Sequence, residues 1–121
     1  MAGFNDTALN VMVNAMAGAG TYISFHTADP GTTGTSEVTY HTAGTRPQTT
    51  WAAAGSGATG GDRAGSQVSA NIPAGAAVTH WGIWSAASAG TFYGGFPLGA
   101  TETFGANGTI QHTPTLDVDQ G

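Results

Sequence analysis

Apolar residues first recur with helical spacing: Leu9, Met12, Val13 and Met16 stand at i, i+3, i+4 and i+7, which predicts a short amphipathic helix over 5–16. Asn5 or Asp6 is placed to cap it, and Gly18 and Gly20 to stop it. A helix this short is marginal alone and needs a surface to dock on. The period then changes to two. Tyr22, Ser24 and His26 alternate with Ile23, Phe25 and Thr27, as in a strand, until Asp29-Pro30-Gly31 breaks the pattern. The segment Asp29 to Glu37 has turn chemistry and no large apolar residue, so it reads as a projecting surface loop.

Further along, a strand is expected to begin near Pro47 and to reach Trp51, and Ala52 to Gly65 holds five glycines and no large apolar side chain. Strand character resumes over Ser66–Ile72, with Val68, Ala70 and Ile72 on one face. The strongest element is Ala77–Ser85: Val78, His80, Gly82 and Trp84 line one face, and Thr79, Trp81, Ile83 and Ser85 the other. A tryptophan on each face implies a central strand covered on both sides, or one whose second face is buried by a partner subunit. Thr91–Phe96 adds an aromatic strand in which Gly94-Gly95 suggests a bulge. Asn107-Gly108 predicts a terminal hairpin between Thr103–Phe104 and Thr109–Val118.

Many short strands after one helix predict a mainly β fold, an antiparallel β-sandwich or jelly-roll-like domain with a short N-terminal α-helix. The expected organisation is a helical arm over 1–20 and a β-sandwich domain over 21–121. A chain of 121 residues suits one core rather than two.

Charge removes several functions. Only 7% of residues are charged, the formal net charge is −5, and Arg46 and Arg63 are the sole Lys or Arg residues. Neutralising a phosphate backbone takes several cations, so no direct nucleic-acid contact is expected. With no cysteine there is no disulfide, thiolate nucleophile or cysteine zinc site. Met1–Asn10 has no Lys or Arg ahead of an apolar run, so no secretory signal is expected. Nor does any apolar stretch approach the roughly 20 residues of a membrane helix.

Motifs that could carry chemistry lack their context. Gly55, Gly57 and Gly60 match G-x-G-x-x-G, yet no apolar helix follows and His80 stands where the ribose-binding acid belongs. His26, His41, His80 and His112 are scattered without zinc-site spacing, and His41 reads as loop decoration. His26 and Asp29 offer a base and an acid, but no nucleophile elbow accompanies them. Asp29 and Glu37 lack calcium-loop spacing. Trp51, Trp81, Trp84, Phe92 and Tyr93 could form a stacking platform for sugar, although strand aromatics are more often core. The Asn5 and Asn107 glycosylation patterns read as chance matches. No catalytic residue, cofactor or metal ligand is expected.

The blocks ISFHTADPGTTGTSEVT (Ile23–Thr39), RPQTTW (Arg46–Trp51), IPAGAAVTHWGIWSAASAGTFYGG (Ile72–Gly95) and LGATETFGANGT (Leu98–Thr109) resemble a family of small virion proteins of actinobacterial tailed phages. Its members carry labels of head decoration or minor capsid protein and of tail fibre protein. The likeness spans about three quarters of the chain, and YHTAGT (Tyr40–Thr45) departs from the family's usual turn before the arginine. What the resemblance implies is a non-enzymatic β-sandwich subunit present in many copies. A compact chain without stalk, repeat or coiled coil favours a capsid decoration protein. The expectation is a homotrimer on the outer capsid surface, bridging subunits of the major capsid protein, without a membrane partner. A tail-associated or tail fibre protein is the alternative, followed by a carbohydrate-binding module. Candidate interface residues are Leu9, Met12, Val13, Met16, Asp29, Thr33, Glu37, Trp81 and Trp84.

Overall fold

The computed structural model describes residues 4–52 and 62–117. Helix α1, Asp6–Ala19, is capped by Asn5, whose side chain accepts a hydrogen bond from the Ala8 amide at 2.9 Å, satisfying one of the free amides of the first turn. The helix runs through Gly18 and ends at Gly20, whose amide donates to Met16 O. Leu9, Val13 and Ala17 are its buried positions. Val13 and Ala17 belong to the same core cluster as the strands.

Among the described residues seven strands follow: β1 Tyr22–His26, β2 Asp62–Ala64, β3 Val68–Ile72, β4 Ala77–Trp84, β5 Phe92–Thr103, β6 Gly108–His112 and β7 Thr115–Asp117. All pairings are antiparallel, in a three-stranded sheet of order β1-β4-β5 and two-stranded pairs β2-β7 and β3-β6. The fold is mainly β with one N-terminal helix, in a sandwich-like arrangement. β4 is central, one of the two arrangements its two-faced pattern allows. Its register sets Ile83 opposite Ile23 and Trp81 opposite Phe25. These four join Val68, Ala70, Ile72, Ile110, Trp51 and Leu116 in one core. Trp51 is further tied by its indole N–H to Gly20 O at 2.8 Å.

Two expectations about the strands are corrected. The residues after Asn107 do not fold back on Thr103–Phe104; β6 pairs with β3, with Ala70 opposite Ile110. That pairing places the apolar face of β3 with Ile110 in the core. The turn is instead tied to the β3–β4 connection: Phe104 N donates to Ala76 O, Gly75 N to Phe104 O, and Ala74 N to Asn107 Oδ1. Nor does 45–51 form a regular strand. It touches the sheets by single bridges, Tyr22 with Gln48 and Trp51 with Gly65, because Pro47 lacks the amide a ladder needs. Its carbonyl still accepts from Ile23 N at 2.9 Å.

β5 carries two irregularities. Ile83 pairs with Gly94 but Trp84 with Phe92, leaving Tyr93 as the extra residue. Farther on, Pro97 faces His80 and Glu102 faces Val78, so five steps of β5 oppose two of β4. Among the described residues, no helix is long and apolar enough to cross a membrane.

Candidate functional site

The second face of the three-stranded sheet holds Ser24, His26, Gly82 and Trp84, with Gly95 and Phe92 beside them on β5. It is covered from within the chain. The loop expected to project folds back over this face because its small and turn-forming residues fit there. Pro30 is fully buried and sits over Gly95, where a Cβ would collide with its ring. Gly34 sits over Trp84; a Cβ at this position would lie 2.5 Å from Trp84 Cζ2 and 3.0 Å from Phe92 Cγ.

The loop's shape follows from local chemistry. Asp29 Oδ1 accepts from Gly31 N at 2.8 Å, an Asx turn. Gly31 and Gly34 have φ of 62° and 78°, values glycine adopts without a Cβ penalty. Pro30 O then accepts from the amides of Gly34 and Thr35 and from the Thr35 hydroxyl. Thr27 N closes the base by donating to Ser36 O at 3.0 Å.

Beneath the loop runs a hydrogen-bond chain whose proton order is fixed. Thr35 O can only accept, so His26 Nδ1 donates to it at 2.8 Å and Nε2 must accept from Ser24 Oγ at 2.6 Å. Ser24 Oγ in turn accepts from Trp84 Nε1 at 2.9 Å. Serine, histidine and carbonyl stand in the order of a nucleophile, base and orienting group. Yet Ser24 and His26 are fully buried, so no substrate reaches them in this conformation. The chain fastens the loop to the sheet. Burial holds the His26 imidazole below the usual histidine range, against the opposing pull of the Thr35 carbonyl and Glu37.

Beside it, Arg46 grips Glu37 through Nε–Oε2 at 2.8 Å and Nη2–Oε1 at 2.9 Å, the bidentate form of a charge-assisted pair. Its Nη1 donates to Ala86 O and Ala89 O, and its guanidinium lies over Trp84. Tyr40 donates to Glu37 Oε2 at 2.7 Å and accepts from Phe25 N; burial first, then Glu37, pushes its phenol above the ordinary range. A cleft of about 240 Å³ opens here, lined by Glu37, Tyr40, Thr45, Arg46, Ala87 and Ala89 among others.

The sequence-derived interface residues are not one surface. Leu9, Val13 and Trp81 are buried, Met12, Met16 and Trp84 are half-buried, and Asp29 and Thr33 are exposed at the loop. Glu37 is held in its ion pair. Among the described residues, the large apolar groups that do reach the surface are Phe4, Val11, Tyr93 and Phe96. Phe96 is the informative one: its ring stacks on Trp81 at 4.8 Å, and Trp81 lies 5.1 Å from His112. A second cleft of about 190 Å³ adjoins His112, Leu98, Glu102 and Ile110. The signal for Phe96 lay in its alternation with Gly95, easily taken as bend chemistry.

The other candidates are dispersed. Trp51 and Trp81 are buried, Phe92 and Trp84 half-buried, and Tyr93 exposed, so these rings form no common sugar platform. Among the described residues, no three His, Asp or Glu side chains gather to hold a metal. His41 is more than loop decoration: its Nε2 donates to Gly108 O at 2.9 Å, joining the 40–45 turn to β6. Gly55, Gly57 and Gly60 lie outside the described residues.

No curated protein matches this sequence. A family model does, that of podophage GP4 fiber I protein gp80, over residues 5–119. This span takes in the helix, all seven strands and the covering loop. The chain therefore belongs to the podophage GP4 fiber I protein gp80 family and is a phage virion protein.

Proposed function

We propose that this chain is a structural subunit of a phage tail fibre, built to be assembled rather than to react. The observation that carries the reading is the family match over residues 5–119, whose description is of a fibre protein. Fibre subunit replaces capsid decoration as the preferred role. The compactness that favoured decoration is equally suited to a globular unit within a fibre. Supporting features are the buried Ser24–His26 pair, which offers no open reactive group, and a surface with few charges to oppose close association. A homotrimer, one of the closed cyclic symmetries that homo-oligomers adopt, forms part of the proposal.

Antibody-gold labelling of intact virions, read by electron cryotomography, tests it. Label at the tail supports the fibre role. Label spread over the capsid faces would restore decoration, with the major capsid protein as partner.

A further inference from the structure

The sheet face under the loop is closed by contacts that depend on a neutral imidazole. His26 receives the Ser24 hydroxyl proton at Nε2 and donates from Nδ1 to Thr35 O. A second proton would turn Nε2 into a donor facing Ser24 Oγ. That oxygen already accepts from Trp84 Nε1, and the Ser24 hydroxyl hydrogen would lose its acceptor.

The charged surroundings give the cation little relief. Glu37, bridged to His26 across the backbone, is the facing anion, but it is held by Arg46 and by Tyr40. Arg46 itself and His80, directly opposite on β4, oppose a positive ring. Phe92 packs edge-on at 6.1 Å. A buried cation in such a setting is relieved by water, and the cover nearest to it is the loop.

We propose that the loop from Thr27 to Glu37 is an acid-released cover: protonation of His26 favours a conformation in which the loop lifts and the Trp84–Phe92 face of the sheet is exposed. The device is independent of the fibre assignment. Its parts are separable from the core, since the loop seats through Pro30 and Gly34, whereas β3 and β6 hold each other through their own ladder. Local opening of this kind follows the same linkage as global unfolding, applied to one segment.

Hydrogen exchange on the whole chain, expressed as protection factors at about pH 7.5 and about pH 5, tests it. Protection at Thr27, Gly34, Thr35 and Val38 should fall by up to about ten-fold per pH unit below 6.5, until the closed-state titration is passed. Amides of β3 and β6 should fall less. In His26→Gln, whose amide can still donate to Thr35 O but does not titrate, the loop's extra pH dependence should vanish. Equal loss in loop and β3–β6 would overturn the proposal, because it would report unfolding of the whole domain. An NMR titration of His26 in the unmodified protein gives a second check. A midpoint at or above 6.5 would also overturn it, since the closed form would then not resist the proton.

Discussion

The guanidinium of Arg46 lies 3.6 Å from the centroid of the Trp84 ring while it holds both carboxylate oxygens of Glu37. One side chain thus joins β4, the end of the covering loop and, through Ala86 O and Ala89 O, the β4–β5 turn. Arg46 is 8% exposed and Glu37 19%. Arg46→Met should therefore destabilise the fold by about 3 kcal/mol, because it leaves a largely buried carboxylate without its partner. Urea denaturation measures this. Arg46→Met combined with Glu37→Leu should recover part of the loss, and a double variant as unstable as the single one would show that the contacts with Trp84, Ala86 O and Ala89 O, and not the ion pair, carry the effect.

Gly34 and Gly31 share a left-handed backbone but differ in their surroundings. At Gly31 a Cβ meets nothing within 4 Å, whereas at Gly34 it meets Trp84. Gly31→Ala should cost about 1 kcal/mol, the backbone penalty alone. Gly34→Ala adds overpacking and should cost about 1–3 kcal/mol more. Thermal melts of the two variants side by side give the comparison, and equal losses would mean that Gly34 does not seat on the indole.

Trp81 and Phe96 face each other across β4 and β5, yet one is buried and the other 39% exposed. Trp81→Ala should cost about 3–5 kcal/mol. Phe96→Ser should cost monomer stability less, about 1–2 kcal/mol, since part of the ring is already in water. If Phe96 lies between copies, the same change will lower the oligomer fraction in analytical ultracentrifugation.

Stability should also fall on the acid side of neutrality. Burial depresses both His26 and His112 below 6.5, and His112 Nε2 is buried without a hydrogen-bond partner. Between those lowered values and 6.5 the unfolded chain binds more protons than the folded one, so stability rises with pH through that window and is lost as pH falls through it. Tm measured across the window shows the slope. His112→Phe should reduce the slope to the part that His26 contributes, because the ring between Phe25 and Trp81 would no longer titrate.

The elements built on large apolar residues were legible in the chain. α1 is announced by Leu9 and Val13, and the central position of β4 by its two tryptophans. The cover over the second face was not, because it works through the absence of side chains: Gly34 and Gly95 make room, and Pro30 fills it. A stretch rich in turn residues reads as a projecting loop unless its landing surface is known. The ion pair was hidden for a related reason. Glu37 and Arg46 are nine residues apart in no regular element, although two arginines in so uncharged a chain are natural suspects for internal roles. Both are in fact used internally, Arg63 bonding Asn14, Trp51 O and Ala52 O. The hairpin reading failed because Asn107-Gly108 fixes a turn but not which strand the next residues join.

The two breaks in β5 bear on a hazard common to abundant β proteins. A long flat border with free amides invites another sheet to add to it, and such addition can run on without limit. This chain has few charges with which to keep copies apart. Instead, Pro97 removes one donor, and the shifts at Tyr93 and between Pro97 and Glu102 bend the border out of register. At the opposite border, Gln48 and Glu37 bridge to Tyr22 and His26. A border interrupted in this way offers an incoming strand no continuous ladder to extend.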